Sequence, residues 1–127
     1  MSIYGYKTYQ LMAHGRATGQ VARVADSAWR RLVGLIGTRE LPQTESLLLT
    51  PCKSIHCMHM RYPIDVVYLD AAHPERPEGA GVLGVETVRP WRIGLAPRAT
   101  KAVLELPAGR AGLLGIAPGD HVALATP

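Results

Sequence analysis

Short runs in which apolar and polar residues alternate recur along this chain, and glycine, proline and aspartate separate them. The pattern predicts a strand over Tyr6 to Met12 and a second over Gln20 to Ala25, with His14 to Gly19 turning between them. Asp26 or Ser27 then suits a helix N-cap. Over Ala28 to Ile36, the residues Trp29, Leu32, Val33 and Ile36 recur at helical spacing as one apolar stripe, which makes Trp29 a core residue and ends at Gly37. Further strands are predicted over Ser46 to Thr50, Ile64 to Asp70, Val82 to Val88, Lys101 to Leu106 and His121 to Ala125. The Ile64 to Asp70 run is apolar on both faces, as a covered central strand should be. Lys101 to Leu106 alternates, with Ala102, Leu104 and Leu106 on one face and Lys101, Val103 and Glu105 on the other. Ala111 to Ile116 can form a helical turn. The polar, proline-rich stretch Ala71 to Gly79 is too long for a tight turn and predicts a mobile hairpin loop. These elements imply a mainly β fold: a small closed barrel or a jelly-roll-like sandwich with one short helix at an end.

Composition narrows the class. The chain has 127 residues, a single domain's worth, and 47% of them are apolar, so a globular fold with its own core is expected. Thirteen glycines and ten prolines favour many short strands over a few long helices. The net charge is +4, but no block of like charges appears, so nucleic acid is not an expected partner. Met1 to Lys7 has no apolar core of a secretory signal, and no stretch approaches the roughly 18 apolar residues of a membrane span. Cys52 and Cys57 would close only a tiny disulfide loop, so two free thiols in a reducing cytoplasm are expected.

Four pieces of the chain carry a family resemblance: Arg31-Leu32-Val33-Gly34-Leu35 with Arg39 and Leu41; Cys52 to His56 followed by Met60 to Asp70; Pro90-Trp91; and Leu104 to Gly109 with Gly115-Ile116 and Gly119-Asp120. In these the chain resembles the small prokaryotic proteins grouped as domain of unknown function 192, also called uncharacterised protein family 0127. The resemblance implies a compact β fold with one helix, and Met60, Asp65, Glu105 and Gly109 as parts of a shared pattern. It implies no activity, and no cofactor is expected. Cys57-Met58-His59 and the long loop from His73 to Gly79 depart from that pattern.

Chemistry concentrates between Cys52 and Asp70. Cys52, His56, Cys57, Met58, His59 and Met60 offer thiolate, imidazole and thioether donors. In an extended segment Cys57 and His59 share one face and His56, Met58 and Met60 the other. Neither face alone supplies four zinc ligands, which leaves a copper-type His/Met site as one alternative and core packing as the other. Cys52 with Lys53 and His56, oriented by Asp65, would make a thiol enzyme, although no glycine-rich turn precedes Cys52. Asp65 opens a buried strand and must be hydrogen-bonded, structurally or to a ligand at a barrel mouth. Glu105 reads as a surface or latch carboxylate, or as the partner of Asp65 in an acid/base pair. Trp91 is a core plug or a stacking platform. The expectation is a binding module without catalysis, for an unidentified small molecule or protein, whose rim gathers Cys52, His56, Met60, Asp65, Trp91 and Glu105.

Overall fold

The computed structural model describes residues 7–25, 41–53, 62–90, 92 and 94–127. Among them, seven strands close into a barrel: β1 (Lys7–Ala13), β2 (Arg16–Ala25), β3 (Glu45–Leu49), β4 (Ile64–Leu69), β5 (Ala80–Val88), β6 (Ala102–Pro107) and β7 (His121–Ala125). A short helix, α1 (Arg110–Leu113), precedes β7. The order around the barrel is β1-β2-β3-β6-β4-β5-β7. Neighbours are antiparallel except β2 and β3, which run parallel. The closed barrel, not the sandwich, is therefore the architecture. The helix expected over Ala28 to Ile36 lies outside the described residues.

The first hairpin is tighter than the sequence pattern implied. Its turn is only His14-Gly15, and both residues have positive φ (53° and 70°), the geometry whose twist matches two antiparallel strands. His14 adopts this unusual conformation with its Nε2 donating to the Gly115 carbonyl at 2.9 Å. β2 consequently starts at Arg16, and Thr18 donates its hydroxyl to the Leu11 carbonyl at 2.8 Å.

Two apolar layers result. Inside the barrel, Leu11, Val24, Leu48, Val67, Leu104 and Val122 meet, and Ala111 and Ile116 from the α1 region close one end. Each leucine so buried stabilises the fold by about 2 kcal/mol. The outer face of β3, β6 and β4 is also buried: Leu47, Leu49, Ile64, Val66, Tyr68 and Val103 form a second cluster, with Cys52, Tyr62, Leu83 and Ala96 packed against it. β4 and β6 are therefore buried at every position. For β4 the two-faced apolar run announced this. For β6 the alternation did not, because Glu105 occupies an outward position that a cover removes from water.

The long loop before β5 is seated rather than free. Pro74 is buried, its carbonyl accepts from Leu124 N at 2.9 Å, and His121 Nε2 donates to the Glu78 carbonyl at 3.1 Å. Gly79 ends the loop at φ +63°, where a Cβ would stand 2.5 Å from the Val122 carbonyl oxygen. Gly79→Ala should therefore cost about 2 kcal/mol, from the left-handed backbone and the clash with β7 together. Urea unfolding measures it. A loss below about 0.5 kcal/mol would mean that the loop moves off β7 at no expense.

Candidate functional site

Asp65 is placed by the pleat of β4. Ile64, Val66 and Tyr68 face the outer cluster, and Val67 and Leu69 face the barrel interior, so Asp65 points inward. It is 3% exposed. Its Oδ1 accepts from the Thr87 hydroxyl at 2.7 Å and its Oδ2 from the Ala111 backbone N–H at 3.0 Å. α1 begins after Gly109, which has no side chain to cap it. Asp65 supplies the missing acceptor from across the fold, near the positive end of the helix. Gln20 secures the same helix: its Oε1 accepts from Arg110 Nε at 3.0 Å, and its Nε2 donates to the carbonyls of Gln43 and Glu45 at 3.0 Å each. Sequence reasoning missed Gln20. The available signal was its phase, because it stands two residues before Ala22 and four before Val24, both interior positions. Both polar residues are fully engaged in holding α1 on the barrel end.

Glu105 sits on the opposite face of the wall. Its cross-strand neighbours are Leu47 on β3 and Val66 on β4, both in the outer apolar cluster. The expectation of a surface carboxylate is corrected here: Glu105 is fully buried. Neither carboxyl oxygen has a hydrogen-bond partner among the described residues. Burial pushes the carboxyl up to about 8, since an apolar layer penalises the charged form. At neutral pH Glu105 is mainly a neutral acid, with one O–H to donate and lone pairs to accept. The next carboxylate in the same cross-strand row, Glu86, lies two strands away, about 10 Å along the sheet. That one is satisfied, accepting from the Tyr68 hydroxyl and from Leu95 N, both at 2.8 Å.

The expected rim is thus assembled only in part. Cys52 is half-buried against the outer cluster, and its N–H donates to the Lys101 carbonyl at 2.9 Å. Cys52 and Glu105 share that layer. Asp65 does not: the barrel wall separates it from Glu105, so the two carboxylates form no acid/base pair, and Asp65 is committed to Thr87 and Ala111. His56, Cys57, Met58, His59, Met60 and Trp91 lie outside the described residues. Among the described residues, no three His, Cys, Asp or Glu side chains group as metal ligands would.

A cleft of about 170 Å³ opens at the end of the outer layer, lined by Leu41, Gln43, Tyr62, Pro63, Pro107 and Ala108. Pro107 is two residues beyond Glu105 on the same face of β6, so the cleft lies one pleat from the buried acid. A larger groove of about 250 Å³ runs along β1 and β2, lined by Thr8, Tyr9, Gln10, Gly19, Gln20, Val21 and Pro127. The buried polar group there, Gln20, is already engaged.

Fold and site together define a small closed β-barrel with a second apolar layer on its outer wall and one uncompensated acid inside that layer. The chain belongs to the DUF192 family, whose description is Uncharacterized ACR and whose pattern matches residues 10–124. A UPF0127 protein of Pyrococcus abyssi is 38% identical over 69 residues, an alignment spanning 54% of this chain and 53% of that protein, about half its length. A UPF0127 protein of Pyrococcus furiosus is 27% identical over 105 residues, covering 79% of this chain and 83% of that one. Two crystal structures share the fold. One, from Sinorhizobium meliloti 1021 and put forward as a transcription regulator, has a TM-score of 0.72 at 18% identity and covers 97% of this chain and 98% of its own. The other, a Novosphingobium aromaticivorans protein of unknown function, has a TM-score of 0.68 at 22% identity, with 96% and 89% covered. Among the described residues no helix is long and apolar enough to cross a membrane.

Proposed function

We propose that this barrel is a binding module that acts without catalysis, and that its ligand enters the outer layer from the cleft beside Pro107 to meet Glu105. One observation carries this reading: a carboxyl buried between Leu47 and Val66 with no partner for either oxygen among the described residues. Leaving such a group unpaired costs about 1–3 kcal/mol, and a ligand that supplies the missing bonds recovers that energy on binding. The apolar neighbours favour a ligand with a hydrocarbon body and one hydrogen-bonding head. Cys52 lies in the same layer and would border it.

The test uses hexanamide, hexylamine and hexanol as probes of the intact protein, read by thermal shift and by backbone amide NMR. Below pH 8 the neutral acid should prefer the amide, which both donates and accepts. Above pH 8 the amine should gain, because the carboxylate then offers a charge partner. Each bound probe should raise the melting temperature with concentration and shift the amides of Leu47, Val66 and Ala108. Glu105→Leu should weaken the amide and the amine about tenfold and hexanol by less, because a single neutral hydroxyl makes fewer bonds to the carboxyl. Probe binding indifferent to that substitution, or no binding by any probe, would remove the reading.

A further inference from the structure

The outer edge of β5 and the segment that follows it have a character separate from the Glu105 layer. β4 pairs with β5 from Ile64↔Val88 through Leu69↔Val82. On the other side, β7 meets β5 only at Ala80 and Gly81, and Val82 exchanges bonds with Gly119 and Asp120. From Leu83 to Val88 no strand pairs with that second edge among the described residues. A row of unpaired backbone donors and acceptors is a template for an added strand.

Two further observations converge on the same place. After β5 the chain doubles back along it: Leu95 N bonds Glu86, and Pro97 stands against Gly84. Leu95 is 84% exposed. At the barrel end, Thr87 and α1 share the Asp65 carboxylate, and α1 carries Leu113, 77% exposed. These are the exposed large apolar residues among the described ones; Leu95 follows the Glu86 contact on the outer face of β5, and Leu113 lies on α1, whose Ala111 N–H shares Asp65 with Thr87 on the inner face. After Glu86 the chain turns basic. Residues 87–104 include Arg89, Arg92, Arg98 and Lys101 and no Asp or Glu. All four cations are exposed.

We propose that the Leu83–Val88 edge, with Leu95, Leu113 and the arginines beside it, docks an extended acidic segment of a partner protein as an added strand. Such a segment would pair its backbone with β5, place apolar side chains against the two leucines and set its carboxylates among Arg89, Arg92 and Arg98. A phosphate backbone would use the arginines but neither the strand edge nor the leucines. A second copy of this chain would bring the same cations face to face, which like charges oppose.

The probe is a short peptide alternating glutamate and valine, labelled for fluorescence anisotropy and titrated at low salt. Its controls are the same peptide with lysine for glutamate and a single-stranded oligothymidylate. The glutamate peptide should bind at least about tenfold more tightly than the lysine peptide, and salt should weaken it. Hydrogen exchange of the Leu83–Val88 amides should slow in the complex. Arg92→Glu with Arg98→Glu should weaken binding about tenfold, as should Leu95→Ala with Leu113→Ala, while Glu105→Leu leaves it unchanged. Loss of peptide binding in Glu105→Leu would move the site to the outer layer and sink this proposal without touching the previous one. Tighter binding of the oligothymidylate, protection elsewhere than β5, or self-association of the free protein through this edge would each overturn it.

Discussion

Glu105→Gln should make the protein more stable than its parent at pH 9 and leave the two nearly equal at pH 4. The reason is a proton. In the unfolded chain this carboxyl titrates near 4.5, and in the fold burial raises it to about 8. Between those values the folded protein keeps a proton that the unfolded chain has released. Stability therefore falls as pH rises through that window, at up to about 1.4 kcal/mol per pH unit. The stabilising contribution is fully present below 4.5 and is lost as pH passes 8, where both states are ionised. The full difference has an upper bound of about 5 kcal/mol, reached above pH 8. Glutamine does not titrate, so it escapes this loss while keeping the shape of the side chain. Urea unfolding of both proteins across the pH range gives the difference directly. A flat difference would mean that the carboxyl meets water or a partner in solution, and the case for a waiting acid would fall with it. Glu105→Leu should stabilise at low pH as well, by about 1–3 kcal/mol, since it removes the unpaired polar group altogether.

Asp65→Ala should act in the opposite direction and cost about 4 kcal/mol. It removes two hydrogen bonds, orphans the Thr87 hydroxyl and the Ala111 N–H, and leaves space inside the barrel. Asp65→Asn keeps an acceptor for one of the two donors and should lose about half as much. The substitutions should also open the barrel end selectively, with amide exchange at Ala111 accelerating more than at Leu104 in the centre of β6. A cost below about 1 kcal/mol would show that α1 is held by Gln20 and Arg110 alone. The two carboxylates thus predict opposite outcomes from neighbouring strands. One is fully used by the fold and its removal breaks something; the other is unused by the fold and its removal relieves something.

Much of the fold was legible in the chain. The apolar runs located β3, β4, β5, β6 and β7 to within a residue or two, and the two-faced run at Ile64 to Leu69 marked β4 as covered before any partner was known. The glycines at 15, 79 and 109 all stand at positive φ, where turns need them. The His14-Gly15 turn was read as six residues long because Thr18 and Gly19 look like loop residues. Cross-strand pairing with β1 overrode that local preference. The site was less legible. Asp65 was recognised as a carboxylate that must be bonded, but its donors, Thr87 and Ala111, lie 22 and 46 residues away.

The sequence by itself determined which residues share a face. Period-two alternation is local, and it put Glu105 with Val103 and apart from Leu104 and Leu106 before the barrel was seen. Only the tertiary structure decided what each face meets. Whether an outward face looks at water or at another layer depends on chain segments distant in sequence, and no local period records them. That is why a glutamate at a position that looks solvent-exposed in the sequence is a buried acid in the fold.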